Sequence, residues 1–166
     1  MVRAWRILAH AAAGLLAATV LASCAEADAP SGHVPEAVDL SDPQAYAAEL
    51  FDATNRAREA EGLAALERST CAADAATARA AALVGSVELA HAALDDVIRE
   101  CAPATGAAEN LARQAADPGA VVEAWLDSPG HRENLLSGRY LSGALECEPD
   151  GDVLVCSHIF LNAQVP

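Results

Sequence analysis

The stretch AWLDSPGHRENLL, residues 124–136, ends one helix and starts another almost at once. Pro129 biases Ser128 away from helical dihedrals, and proline is itself favoured at the first position of a helix. The spacing therefore predicts a helix that stops before Ser128 and a second that begins at Pro129, with Ser128 as its N-cap. His131 becomes the third residue of that second helix, one turn before Asn134 and Leu135. The first of the two opens at Asp117-Pro118 and carries Val121, Val122, Trp125 and Leu126 on one face.

Working outward, Asp42 can cap a helix with Pro43 in its first position. Ala47, Leu50, Phe51, Thr54 and Ala57 line one face of it and Gly62 ends it. A second helix is expected from about Thr70 to Val84, stopped by Gly85. It is nearly all alanine apart from Asp74, Thr77 and Arg79, so neighbours can pack close to its backbone. After His91, ALDDVIREC suggests a short helix. Residues 140–148 and 152–162 read as two antiparallel strands. With helices first and sheet late, the pattern is α+β or a layered α-β-α domain.

The first 23 residues have a basic head at Arg3 and Arg6, an apolar run from Ala11 to Ala22 and a small residue before Cys24. They read as a secretory signal, too short in apolar length to span a bilayer. LASC resembles a bacterial lipobox, which makes Cys24 the expected site of lipid attachment; ordinary secretion is the alternative. Residues 24–42 read as a flexible tether, in which His33 is a solvated linker histidine, and 43–166 as one domain. Loss of residues 1–23 removes two of the ten basic residues and none of the 24 acidic ones, leaving a formal charge of −16 and no lysine. Such a chain repels nucleic acid and anionic headgroups, which are bound through clusters of Lys and Arg. The membrane is then reached through the N-terminal lipid alone, with the domain expected to be a monomer.

Cys71, Cys101, Cys147 and Cys156 are an even set in an exported chain and imply two disulfides. CEPDGDVLVC looks like a hairpin whose Gly151-Asp152 turn would set Cys147 opposite Cys156, which leaves Cys71 to pair with Cys101. No C-x-x-C spacing supports a metal site among them. Glu146, Glu148, Asp150 and Asp152 crowd the hairpin without the twelve-residue calcium-loop pattern and read as a solvated acidic tip.

Five segments in this order, NRAREAEGLAAL (55–66), LAHAAL (89–94), AENLA (108–112), AWLDSPGHRENLL (124–136) and CSHIFL (156–161), resemble the CAP superfamily of cysteine-rich secretory, antigen 5 and pathogenesis-related proteins, in its bacterial branch. The resemblance covers about residues 45–162. It implies a three-layer α-β-α sandwich with a central antiparallel sheet and a surface cleft that typically holds two histidines and two acids. His91 matches the first histidine, Glu109 the acid of the G-E-N motif and His131 the second histidine. Ala108 replaces the glycine of that motif, and Ser128 stands where many eukaryotic members carry the second acid. Asn55 and Arg58 match the first-helix motif and read as a buried polar brace.

Two imidazoles and a carboxylate can bind Zn²⁺ with one position left for water. They can equally form a purely structural cluster, because a carboxylate between two histidines holds both rings by charge-assisted hydrogen bonds. There is no H-E-x-x-H helix and no G-x-S-x-G elbow, and a capping role would occupy the Ser128 hydroxyl. Arg132 reads as a surface residue or a partner of helix-end carbonyls. Alternation does not settle where His158 points, since Val155, Ile159 and Phe160 are all apolar. Two functions remain open: a binding module using the His91, Glu109, Ser128 and His131 cleft or an adjoining apolar groove for a lipid-like, peptide or envelope ligand, and a metal-assisted hydrolase centred on His91, Glu109 and His131.

Overall fold

The computed structural model describes residues 38–165. The expected signal segment 1–23, Cys24 and His33 lie outside the described residues. The chain runs α1 (Pro43–Ala60), β1 (Glu67–Arg68), α2 (Thr70–Leu83), α3 (Asp95–Glu100), β2 (Ala107–Gln114), α4 (Pro118–Asp127), α5 (Pro129–Leu135), β3 (Ser142–Asp150) and β4 (Val153–Leu161). The strands form one sheet in the order β1-β3-β4-β2. β2, β4 and β3 are antiparallel, and the two-residue β1 adds a parallel edge.

Local chemistry sets the helix ends where the residues place them. The Asp42 carboxylate accepts from the backbone N–H groups of Gln44 and Ala45, and Asp117 does the same for Gly119. Ser69 caps α2 through a bond from Ala72 N. Gly62, with φ of +75°, lets the chain turn out of α1 in a conformation other residues resist. The hairpin closes through Gly151 and Asp152, and Gly151 has φ of +67°.

Helices cover both faces of the sheet, so the three-layer architecture holds. One core packs Leu50 and Phe51 of α1, Val121, Val122 and Trp125 of α4 and Leu135 of α5 on Leu145, Leu154 and Phe160. The other packs Ala72 and Ala76 of α2 and Val97 of α3 on Ala144, Ile159 and Leu161. The alanine side of α2 brings it close to the sheet. At β3 the approach between strands is closer still: a Cβ on Gly143 would sit 2.4 Å from the Ile159 carbonyl oxygen.

Both disulfides form as the hairpin reading requires. Cys147 and Cys156 are direct register partners on β3 and β4. Cys71–Cys101 ties the start of α2 to the end of α3 across a sequence separation of 30. On the chain-entropy model such a loop contributes roughly 3–4 kcal/mol.

Arg58 is the largest fully buried side chain, and its guanidinium donates to the carbonyls of Ala64, Leu135, Ser137 and Tyr140 at 2.9–3.1 Å. Asn55 exchanges two bonds with the backbone of Leu66. The brace read from the first-helix motif is therefore present, and it fastens α1 to the chain that leads into β3.

Three expectations change. The sheet is not confined to the late chain, because β2 lies between α3 and α4 and β1 between α1 and α2. Ser128 has the extended backbone that Pro129 dictates but makes no side-chain cap bond. It also closes α4, its N–H donating to Trp125 O, and its side chain lines a groove instead. The hairpin acids are not all solvated: Asp150 pairs with Arg113 at 2.9 Å and accepts from Gly85 N, while burial raises the Glu146 carboxyl above the ordinary range against the pull of Arg68.

Candidate functional site

β2 ends the sheet, and its sequence AAENLARQ places Glu109 on one side and Asn110 on the other. Both are buried. Asn110 faces the α1–α4–α5 layer, where Nδ2 donates to His131 O at 3.1 Å and Oδ1 accepts from Asn134 Nδ2 at 3.0 Å. Asn134 also donates to the Glu109 carbonyl, and Trp125 Nε1 to that of Leu111. Side chains of α4 and α5 thus take up carbonyls along the free edge of β2, which blunts an edge that would otherwise invite pairing.

The Glu109 carboxylate faces the α2 layer, with its side chain only 2% exposed. Arg79 of α2 grips both oxygens, Nε to Oε1 at 2.6 Å and NH2 to Oε2 at 3.0 Å. Ser157 of β4 donates to Oε1 at 2.8 Å, and His91 Nδ1 lies 2.8 Å from Oε2. Burial pushes the Glu109 carboxyl up, but the bonds from Arg79, His91 and Ser157 and the guanidinium charge outweigh it, so the group sits below the ordinary glutamate range. It is an ion at neutral pH, held as a buried charge must be, by a paired cation and full hydrogen bonding.

Arg79 does a second job. Its NH2 donates to Ala92 O at 2.7 Å and its NH1 to Ala93 O at 3.3 Å, which holds the chain immediately after His91. Arg113 pins the start of the same 84–94 loop through Leu83 O and Ser86 O. The loop presents His91 half exposed, at 52% of its side chain, with Val84, Val87 and Leu89 also exposed.

His131 approaches from the opposite layer. Its ring lies 6.4 Å from that of Trp125, and burial, then the nearby His91, lowers its imidazole below the ordinary value. The structure therefore brings His91, Glu109 and His131 to one end of the sheet, with His91 bonded to Glu109. Ser128 and His131 share a groove of ≈ 300 Å³ with Leu89, Leu111, Val121 and Trp125. A second pocket, ≈ 160 Å³, lies on the α2 side, walled by Ala78, Ala82, Leu83, Ala90 and Ala92, with Arg79 and Glu109 at its end.

As these residues stand they do not fit a zinc ion. Both oxygens of Glu109 are spent on a guanidinium, which a metal would have to displace, and among the described residues no three His, Cys, Asp or Glu side chains converge to hold one. Sequence reasoning did not find Arg79. The signal was present: a single arginine in an alanine-rich helix that packs on the sheet needs a carboxylate.

His158 lies apart from these groups, fully buried on the α1 side of the sheet. Arg132 is exposed and donates to Leu126 O at 3.3 Å, in keeping with a partner of helix-end carbonyls.

The depressed Glu109 carboxyl stabilises the fold above the ordinary glutamate value of about 4.5, and this contribution is lost as pH falls through the lower folded value. Glu109→Gln should therefore flatten the stability profile below about pH 4.5. It should also lower stability at pH 7 by about 2–4 kcal/mol, because Arg79 loses its charge partner. Urea unfolding of both proteins from pH 7 to pH 3 checks this; parallel profiles would rule out a buried glutamate ion.

The cysteine-rich secretory protein (CAP) family model matches residues 51–159. Among solved structures, an extracellular protein containing a SCP domain from Bacillus anthracis is 25% identical, with a TM-score of 0.62 over 70% of this chain and 40% of that one. A cysteine-rich secretory protein from Staphylococcus aureus is 22% identical, with a TM-score of 0.62 over 75% and 40%. An outer surface protein from Borrelia burgdorferi is 19% identical, with a TM-score of 0.66 over 74% and 96%. The chain thus spans 40% of the length of the first two and nearly all of the third. No curated protein matches by sequence. The family model covers more than half of the chain, agrees with the layered fold and includes His91, Glu109 and His131: the chain belongs to the cysteine-rich secretory protein, or CAP, family.

Proposed function

We propose that this CAP domain is an extracytoplasmic ligand-binding module, anchored by lipid on Cys24, whose pocket beside the Glu109–Arg79 pair takes the apolar end of a lipid-like molecule. The observation that carries the reading is the division of labour at the site. The polar atoms are committed to one another, while the space next to them is walled by Ala78, Ala82, Leu83, Ala90 and Ala92. A volume of ≈ 160 Å³ suits a ring or a short length of alkyl chain. Small apolar pockets with a few fixed polar groups at one end are a common form of ligand site.

Catalysis has less to work with. A nucleophile needs a base within hydrogen-bond reach, and among the described residues no such bond joins Ser128 to His131. Support for the location comes from the apolar N-terminal run ending in LASC and from solved relatives described as extracellular or outer-surface proteins.

The neutral apolar fluorophore N-phenylnaphthylamine should bind the purified protein saturably. Ala82→Trp, which fills the pocket from an exposed position on α2, should weaken binding at least tenfold with little change in melting temperature. Absence of saturable binding, or a variant that binds as well as the parent, would reject the apolar site. A zinc-dependent rise in melting temperature that His91→Ala abolishes would favour the metal-assisted hydrolase instead. Separately, growth with a radiolabelled fatty acid should mark the wild-type chain and not Cys24→Ala; an unlabelled wild type would show ordinary secretion.

A further inference from the structure

His158 of β4 is fully buried, and among the described residues neither ring nitrogen has a hydrogen-bond partner. Its ring stacks on Phe160 with centroids 3.9 Å apart and lies 5.6 Å from Phe51 of α1 and 6.0 Å from Trp125 of α4. Buried polar groups are nearly always bonded, so an imidazole with no protein partner among three aromatic rings calls for an explanation.

Among the described residues, the surroundings offer a proton no counter-charge. From α1, the stripe Phe51, Thr54 and Arg58 supplies a ring, a neutral hydroxyl and a cation. From β1, Arg68 lies with its guanidinium over the Phe51 ring, and it and Arg58 both disfavour a charge on His158. From α4 comes Trp125. The register partners on β2 and β3 are Asn110, whose amide is already bonded to His131 O and Asn134, and the apolar Leu145. Asp52 is turned to the surface, where it pairs with Arg68 at 2.8 Å. Glu109 and Glu146 occupy register positions that alternate with His158 and so point to the other face.

We propose that His158 is an acid trigger beneath the cleft: it takes a proton only when the cage of Phe51, Trp125 and Phe160 opens, so acidification destabilises the α1–α4 face and with it the His131 groove that Trp125 lines. Burial, then the fields of Arg58 and Arg68, lowers the folded imidazole to about 3. The unfolded chain binds a proton near the ordinary value of about 6.5 and the folded one does not. Stability is therefore unaffected above that value and is lost progressively as pH falls from it toward the folded value. Each pH unit in that window multiplies the unfolding equilibrium constant by about ten. The Glu109 effect begins only below about pH 4.5, so the two are separable.

The test compares urea unfolding of the purified protein with that of His158→Phe and His158→Gln between pH 7.5 and 4.5, with His131→Asn as control. The unfolding constant of the wild type should rise about 100-fold more than that of either His158 variant across this range, and His131→Asn should keep most of that rise. Parallel curves for the wild type and a His158 variant would overturn the proposal. If neither His158 variant folds, NMR titration of the wild-type ring decides. A His158 imidazole that stays neutral in the folded protein down to pH 4.5 supports the trigger, and one that titrates near 6.5 while the protein remains folded overturns it.

Discussion

The buried carboxylate of Glu109 is the constraint around which the functional end of this molecule is arranged. A charge withdrawn from water must be repaid by a paired cation and by hydrogen bonds to its remaining lone pairs. Here Arg79 from α2, His91 from the 84–94 loop after it and Ser157 from β4 do this at 2.6–3.0 Å, and Asn134 of α5 takes the backbone carbonyl of the same residue. One residue on an edge strand therefore ties together helices from both layers. Loss of its charge would leave a guanidinium without its partner and a strand edge less firmly held.

The walls of the cleft follow from this arrangement. Arg79 uses its remaining donors to fix the chain immediately after His91, while Arg113, itself paired with Asp150 at the sheet end, fixes the start of the loop. Val84, Val87 and Leu89 are exposed between those pins, next to a small apolar-walled pocket on the α2 side and a mixed groove that Ser128 and His131 share with Leu111 and Trp125. The contrast between a saturated ionic centre and the apolar-lined pocket beside it is what favours the proposed binding role over a reaction. Hydrogen bonds fix the frame, and the surface of the α2-side pocket is largely aliphatic.

Much of the fold was legible because it depends on local chemistry. Asp42-Pro43, Asp117-Pro118, Gly62, Gly85 and the Gly151-Asp152 turn each place an element boundary by capping, by fixed φ or by positive φ. The four cysteines and the hairpin carried both bridges. β2 was not legible as a strand, since AAENLARQ alternates a buried glutamate and a buried asparagine where a strand pattern would show large apolar residues. Ser128 was misread as a cap because its backbone obeyed Pro129 while its hydroxyl served no helix end. Arg79 signals a need for a carboxylate but not that its partner lies 30 residues on, and Asp150 and the Phe51 and Trp125 walls around His158 required tertiary contacts between segments more than 30 residues apart, which no local pattern encodes.

The central claim, that Glu109 is held as an ion by Arg79 and is structurally committed to it, is tested most directly by a double-mutant cycle. Urea unfolding at pH 7 of the wild type, Arg79→Gln, Glu109→Gln and the double variant isolates the energy that exists only when both side chains are present. A coupling of about 2 kcal/mol or more, with the double variant far less damaged than the two single losses would sum to, is the predicted result. A coupling near zero would show that the pair contributes no mutual stabilisation, and Glu109 would have to be regarded as a group free to serve another partner.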